Sequence, residues 1–345
     1  PSDLRQEQRD ALVDQLEWWY SRDASAAIHG AAGWLLRKWG ESALVKRVDE
    51  TPSSYHPSRE WFTLAIQAGR QRFFQTYIVI PAGEYDIGSP EHEPARKSDE
   101  ARHRVRIPQA FAILDREITR AEVEAFDPAF RTWHVSHAPT PQHAFAGPNW
   151  YESVRFCRWM TQRADLTEDD QAYSDPDELN RRGYEREASR LSSHNPRHWP
   201  VDLTKPGFRL PIEAEWEVAA RAGTNTPYSF GADVGLLHHY GWYGDRGGQR
   251  AQLPKQLRPN AWGLFDTMGN LGELCHDCYD VYRLGLTFPA PPGLATGESG
   301  SHRLFRGGNW TTPASSCRTA WRLGLFPHGR HTMVGIRLAF TLTQR

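Results

Sequence analysis

From Phe230 to its end the sequence is rich in glycine, tryptophan and tyrosine, and it shows neither the period-2 nor the period-3.6 alternation of long strands and helices. Such a chain cannot be assembled from long elements. It has to close around aromatic side chains packed between loops. Composition agrees: 14 tryptophans in 345 residues, 12% aromatic residues and 39% hydrophobic residues supply a sizeable core and exclude disorder as the main state. The length suits one large domain with a small appendage. The 41 basic and 42 acidic residues leave a net charge of −1, which argues against a general nucleic-acid or anionic-membrane binder. No apolar stretch reaches the roughly 18 residues of a membrane span. The opening PSDLRQEQRD reads as neither signal nor transit peptide, so the expectation is a cytoplasmic chain or a fragment of a larger protein. Cys157, Cys275, Cys278 and Cys317 are too few for a disulfide scaffold of this size and fit a reducing compartment. Cys275 and Cys278 form one C-x-x-C without the second ligand pair of a zinc site.

Before Phe230 the patterns are more regular. Residues 3–50 place Leu4, Ala11, Leu12, Leu16 and Trp19 at helical spacing, with Ser25 as a cap and Gly40 as a stop. TPSSYHPSRE is a turn-rich linker, so residues 1–60 form a helical segment plus linker. Residues 73–89 and 102–114 alternate as strands do. Thr119 and Glu122 make a capping box for a helix ending at Phe126. Asn149 to about Arg163 is an amphipathic helix, and 207–224 reads strand, turn, helix. The polar stretch 165–205 reads as a surface insertion in a domain spanning 73–345. The adjacent His238 and His239 would face opposite ways in a strand, which makes them packing or surface residues rather than ligands.

From residue 77 onward the sequence resembles the formylglycine-generating enzyme/sulfatase-modifying factor family. The motifs are IPAGEYDIGSPEHEP, RLPIEAEWEVAARAGT, PNAWGLFDTMGNLGEL and RGGNW…CRTAWR…GIRLAF. HGAAGWLLRKWG also resembles a helical stretch that precedes such domains in large bacterial proteins. The resemblance implies an α+β fold of C-type-lectin-like type, with a small twisted sheet, few helices and long loops. The family includes copper-dependent oxidases that convert cysteine to formylglycine, iron-dependent sulfoxide synthases, and binding proteins diversified by retroelements, so fold leaves function open. The oxidase motif implies two thiolates for Cu(I), a soft ion. Those positions are Thr312 and Cys317 here; a supporting serine corresponds to Asn309 and a tryptophan to Gly272. The iron motif H-x-x-x-H-x-E is missing from residues 1–91, which hold only His29 and His56. Neither copper nor iron is therefore expected.

The resemblance further implies a Ca²⁺ site from the side chains of Asp266 and Glu273 and the carbonyls of Gly269 and Leu271. The alternative is that Glu273 pairs with an arginine while Asp266 caps a turn. In the C-terminal segment, family framework residues such as Arg306, Trp310, Cys317, Arg322 and Arg337 enclose gaps. In the retroelement-diversified relatives these gaps vary at adenines, and every gap residue here except Met333 can be reached that way. The expectation is a non-catalytic module that binds a protein or small molecule, displaying residues about 306–337. Its candidate contacts are Thr311, Thr312, Ser315, Ser316, Trp321, Leu323, Leu325, Phe326, His328, His331 and Thr332. A metal-dependent oxidoreductase and a regulatory domain of a larger multidomain bacterial protein remain the alternatives.

Overall fold

A computed structural model describes residues 5–132, 135–181, 199–279 and 302–343. Leu4, and residues 182–198 of the expected insertion, lie outside them. Three helices open the chain: α1 (Gln6–Arg22), α2 (Ala26–Lys38) and α3 (Ser42–Asp49). They bury Leu16, Tyr20, Ala32, Leu36 and Val45 among themselves. Gly33 is required there, because a Cβ would lie 2.3 Å from the Tyr20 ring.

The helical segment is welded to the start of the first strand. The His29 ring stacks on Trp61 at 3.7 Å and on Tyr20 at 4.6 Å, and its Nδ1 contacts the Tyr20 carbonyl at 2.6 Å. The Trp61 indole donates to the Asp23 carbonyl, and Glu60 accepts from the Ala26 amide at the start of α2. Helix α2 also abuts a distant loop, where a Cβ on Gly30 would come 2.9 Å from the Gly263 Cα.

Strands β1 (Trp61–Ala68) and β2 (Gln71–Ile80) form a long hairpin. Next come β3 (Gly83–Ile87), β4 (His103–Ile107) and β5 (Phe111–Leu114). Helix α4 (Arg120–Phe126) carries the expected capping box: the Thr119 amide donates to Glu122 at 2.7 Å and its hydroxyl at 2.6 Å. Helix α5 (Trp150–Arg163) is capped by Asn149, whose side chain accepts from the Glu152 amide. Helices α6 (Pro176–Arg181) and α7 (Glu213–Arg221) come after it, then β6 (Gly272–Cys278), β7 (Arg303–Arg306), β8 (Arg322–Leu325), β9 (Val334–Gly335) and β10 (Ala339–Thr341). One sheet runs β1-β2-β5-β10, entirely antiparallel. A second runs β8-β7-β6-β9, with the β6/β9 pair parallel. The C-terminal strand thus closes the sheet begun by the N-terminal hairpin.

The described ends of the polar stretch 165–205 are more than a surface insertion. Ala172, Tyr173, Leu179, Trp199 and Val201 are buried in the main core beside Trp150 and Phe208. Tyr173 and Val201 form an antiparallel bridge that ties the two ends together.

Loops are fixed by buried ion pairs. Helix α7 presents Glu213, Glu215 and Glu217, all buried. Glu215 accepts two bonds from Arg209, at 2.6 and 2.7 Å. Glu213 is held by Arg322, whose Nε lies at 2.7 Å. Glu217 accepts from Arg221, Arg306 and the Gly88 amide. Arg318 reaches Glu93 and Glu100, and Arg116 grips Glu122 with both terminal nitrogens at 2.9 Å. A planar guanidinium suits such two-point bonding, which sets angle as well as distance.

Candidate recognition face

The Arg306–Arg337 segment lies between these clamps. After β7 the chain turns through Gly307 and Gly308, both at positive φ. Gly308 has no room for a side chain: a Cβ would sit 3.0 Å from the Thr312 hydroxyl and 3.1 Å from Cys317 Sγ. The two positions that carry thiolates in the resembling oxidases are therefore neighbours in space here. The Thr312 hydroxyl bonds to Cys317, accepts from the Asn309 amide at 2.9 Å and donates to the Asn309 carbonyl. Burial pushes the Cys317 thiol up to about 12, and the Thr312 bond only partly offsets this. A protonated thiol beside a hydroxyl does not fit Cu(I), which requires paired soft thiolates. The position of the family's tryptophan is closed as well, because a Cβ on Gly272 would meet the Phe305 ring at 2.5 Å.

The expected calcium ligands are buried but do not fit the ion as a set. Both oxygens of Glu273 are committed: Arg337 donates at 2.6 and 2.7 Å and the Trp216 indole at 2.6 Å. Asp266 accepts the Lys255 amide on Oδ2, while its buried Oδ1 has no partner. Ca²⁺ needs six to eight oxygens, and a carboxylate held at two points by a guanidinium is poorly placed to join them. Asp115 and Glu117 are buried alongside, with Lys255 2.5 Å from Asp115. Burial, offset in part by the Lys255 amide and Arg337, pushes Asp266 up to about 6. Burial and the charges of Asp266 and Glu273 push Glu117 well up too. Both shifts have the sign expected where buried carboxylates crowd together. Among the described residues, no cluster of three or more His, Cys, Asp or Glu is arranged to hold a metal. His238 and His239 lie in a 3-10 turn (Val234–His239), with ring centroids 3.8 Å apart.

The candidate contact residues separate into two groups. Thr311, Leu323, Phe326, His328 and His331 are exposed; Thr312, Ser315, Ser316 and Thr332 are half-buried. Trp321 and Leu325 do not belong with them, being only 4% and 6% exposed. Trp321 packs edge-on against Phe305 beneath the Lys97 ammonium, and Leu325 joins the main core. Phe326 is 53% exposed and lies tilted against the His302 ring, with centroids 4.1 Å apart; Leu323 is 40% exposed. His328 lies over Tyr151 at 4.6 Å. The segment docks on the start of α5, where the Trp150 amide donates to the Pro327 carbonyl and Arg330 pairs with Glu152. His302 and Tyr151 lie outside the sequence-expected set. Nothing in their own neighbourhoods marks them, because each meets the segment only across the fold.

The family described as "Sulfatase-modifying factor enzyme 1-like domain" matches residues 63–342. The chain belongs to this family. It is 28% identical over 320 residues to the formylglycine-generating enzyme of Streptomyces coelicolor, covering 79% of this chain and 91% of that enzyme. A serine/threonine-protein kinase, pkn1 of Chlamydia pneumoniae, is 33% identical over 137 residues; this is 39% of the chain but only 21% of the kinase. Among solved structures, Treponema denticola variable protein 1 superposes with a TM-score of 0.66 at 27% identity, covering 81% of this chain and 99% of that one. PvdO from Pseudomonas aeruginosa, at TM-score 0.59 and 20% identity, shares the fold. The expected α+β family fold with N-terminal helices is what the structure has. No helix of the described residues is long and apolar enough to cross a membrane.

Proposed function

We propose that this chain is a non-catalytic recognition module that uses the exposed part of its C-terminal segment to bind a protein or small-molecule ligand. One observation carries the reading: Phe326 and Leu323 stand exposed on a segment whose neighbours Trp321, Arg322 and Leu325 are locked inside. A rigid aromatic ring offers contact area at little entropic cost, and Phe326 is flanked by the His302 ring. The likeness to Treponema denticola variable protein 1 supports a display role, and the Thr312–Cys317 pair supports the lack of oxidase chemistry.

The test uses the wild-type chain and the double variant Leu323→Ser/Phe326→Ser on a panel of immobilised peptides and glycans. Binders of the wild type should be lost by the variant at unchanged melting temperature. Binders indifferent to the variant, or conversion of a cysteine peptide to an aldehyde by copper-loaded protein but not by Cys317→Ala, would sink the reading. The partial match to pkn1 kinases favours a second reading, in which this recognition unit serves as a regulatory domain of a larger protein.

A further inference from the structure

Helix α1 carries two tryptophans on the face it turns to solvent. Trp18 is 49% exposed, Trp19 39% and Leu12 43%, and neither indole makes a ring contact among the described residues. Gln15 sits at the centre of that face. At about 100° per residue, Ala11, Leu12, Trp18, Trp19 and Arg22 all lie within about 60° of it, and all six are exposed. The other side of the helix, with Leu16 and Tyr20, is the one that packs into the helical segment. The two indoles leave about 200 Å² per copy in water, and contiguous aromatic area of this kind marks an interaction surface.

The stripe is complementary to itself. Glu7 stands in the first turn and Arg22 in the last, both exposed and neither with an ion-pair partner among the described residues. Laid antiparallel about Gln15, two copies of α1 bring Arg22 of each within reach of Glu7 of the other. The same two-fold sets Trp18 and Trp19 level with Leu12 and Ala11 of the second copy, so rings meet smaller side chains. It also brings the two Gln15 amides together, each with both donors and an acceptor to offer. A parallel pairing would put Glu7 on Glu7, Arg22 on Arg22 and indole on indole, and like charges so placed repel. Asp10 and Asp14 point about 100° or more away from Gln15, outside the stripe. A lipid surface fits less well, because it favours apolar faces flanked by lysine and arginine, whereas this one is flanked by Glu7 and Asp14.

We propose that this chain forms an antiparallel, two-fold symmetric dimer through α1, with Trp18 and Trp19 at its centre and an Arg22–Glu7 pair at each end. One pair of 17-residue helices is a small contact for a specific interface, so the dimer is of micromolar rather than nanomolar strength. The contact is isologous and closes on itself, so it yields a dimer and no fibre. Such a dimer carries two display faces, and a ligand with repeated epitopes gains avidity from them. That consequence rests on the recognition role proposed above; the dimer itself does not.

Sedimentation equilibrium of the full chain tests the proposal. Between about 5 and 200 µM the population should pass from monomer to dimer, with a dissociation constant of about 10–100 µM. Trp18→Ser/Trp19→Ser should weaken the dimer at least about tenfold. Glu7→Arg and Arg22→Glu should each weaken it about fivefold, because each makes two like-charge contacts per dimer, and the double reversal should return to within about twofold of wild type. All these changes are to exposed side chains, and melting temperatures at a dilution where the wild type is monomeric will show that the fold is intact. If the tryptophan variant is unstable, the charge reversals still decide. A monomer at every concentration, a dimer indifferent to the tryptophan variant, or a double reversal no stronger than either single one would overturn the proposal. None of these results requires the ligand, so they are read independently of the recognition test.

Discussion

Replacing Glu217 with glutamine tests whether buried ion pairs hold this loop-rich fold. Glu217 is fully buried, and its carboxylate joins three separate parts of the chain. It accepts from the Gly88 amide at 2.7 Å, from Arg221 Nε at 2.8 Å within α7, and from Arg306 on β7. Arg306 in turn donates to the Ala320 and Trp321 carbonyls, both at 2.8 Å, at the base of the display segment. Burial raises the proton affinity of Glu217, but Arg306 and Arg221 outweigh it and hold the carboxyl down at about 2. Against an ordinary value of 4.5, that depression corresponds to about 3 kcal/mol of stability at neutral pH. Glu217→Gln keeps the shape and leaves two guanidinium groups short of a charge, a change that costs about 3–5 kcal/mol in buried pairs.

The pH dependence is set by the sign of the shift. A depressed folded-state value contributes stability that is complete above 4.5 and is lost as pH falls toward 2. The variant has no such proton to take up. Its deficit relative to wild type should therefore shrink by about 2 kcal/mol between pH 6 and pH 3. Urea unfolding followed by tryptophan fluorescence at both pH values measures this. A deficit below about 1 kcal/mol at pH 7, or one unchanged at pH 3, would refute the ion-pair account.

Leu325→Ala should cost about 2–5 kcal/mol in the same assay, whereas Phe326→Ala should stay within about 0.5 kcal/mol, since one side chain is in the core and the other in solvent. Competition with a Cu(I) chelator should show wild type binding no more tightly than a lone thiol; stoichiometric binding lost in Cys317→Ala would contradict the Thr312–Cys317 geometry. Because Arg337 and Trp216 occupy Glu273, adding a calcium chelator should leave the melting temperature unchanged, and a fall on chelation would mean that a bound ion stabilises the fold.

Local features are readable in the sequence because their causes are local. Thr119 with Glu122, and Asn149 ahead of an amphipathic run, announce their helices from three or four residues. Long-range pairing has no such signature. Arg322 and Glu213 lie 109 residues apart, and nothing in either neighbourhood names the other. The available hint is GluAlaGluTrpGlu, in which acids alternate with apolar residues on a helix that proves to be buried on every side. Leu325 departs from expectation for a related reason. In a strand it shares a face with Leu323. That face is covered at the Leu325 end, where β8 pairs with Arg303 above Trp150, and becomes exposed at Leu323. Which end of an edge strand is roofed depends on elements far away in sequence.

The same clamps explain how a segment can display side chains that hold nothing together. Arg318 is anchored on Glu93 and Glu100, Arg322 on Glu213, Arg330 on Glu152 and Arg337 on Glu273. The stretches between successive anchors are only three to seven residues long, too short to wander once their ends are pinned. Their backbone path is therefore set by these arginine–glutamate pairs, buried at Arg318, Arg322 and Arg337 and at the surface at Arg330, rather than by Leu323, Phe326, His328 or His331. Substitution at those positions alters what the face presents while leaving its shape in place. A face shaped in advance loses little entropy on binding, so a small exposed patch can still recognise a partner. Redox chemistry imposes the opposite requirement, because it fixes the identity of particular side chains near the surface. Thr312 beside the buried Cys317 shows that this requirement is not met at the paired-thiolate position of this chain.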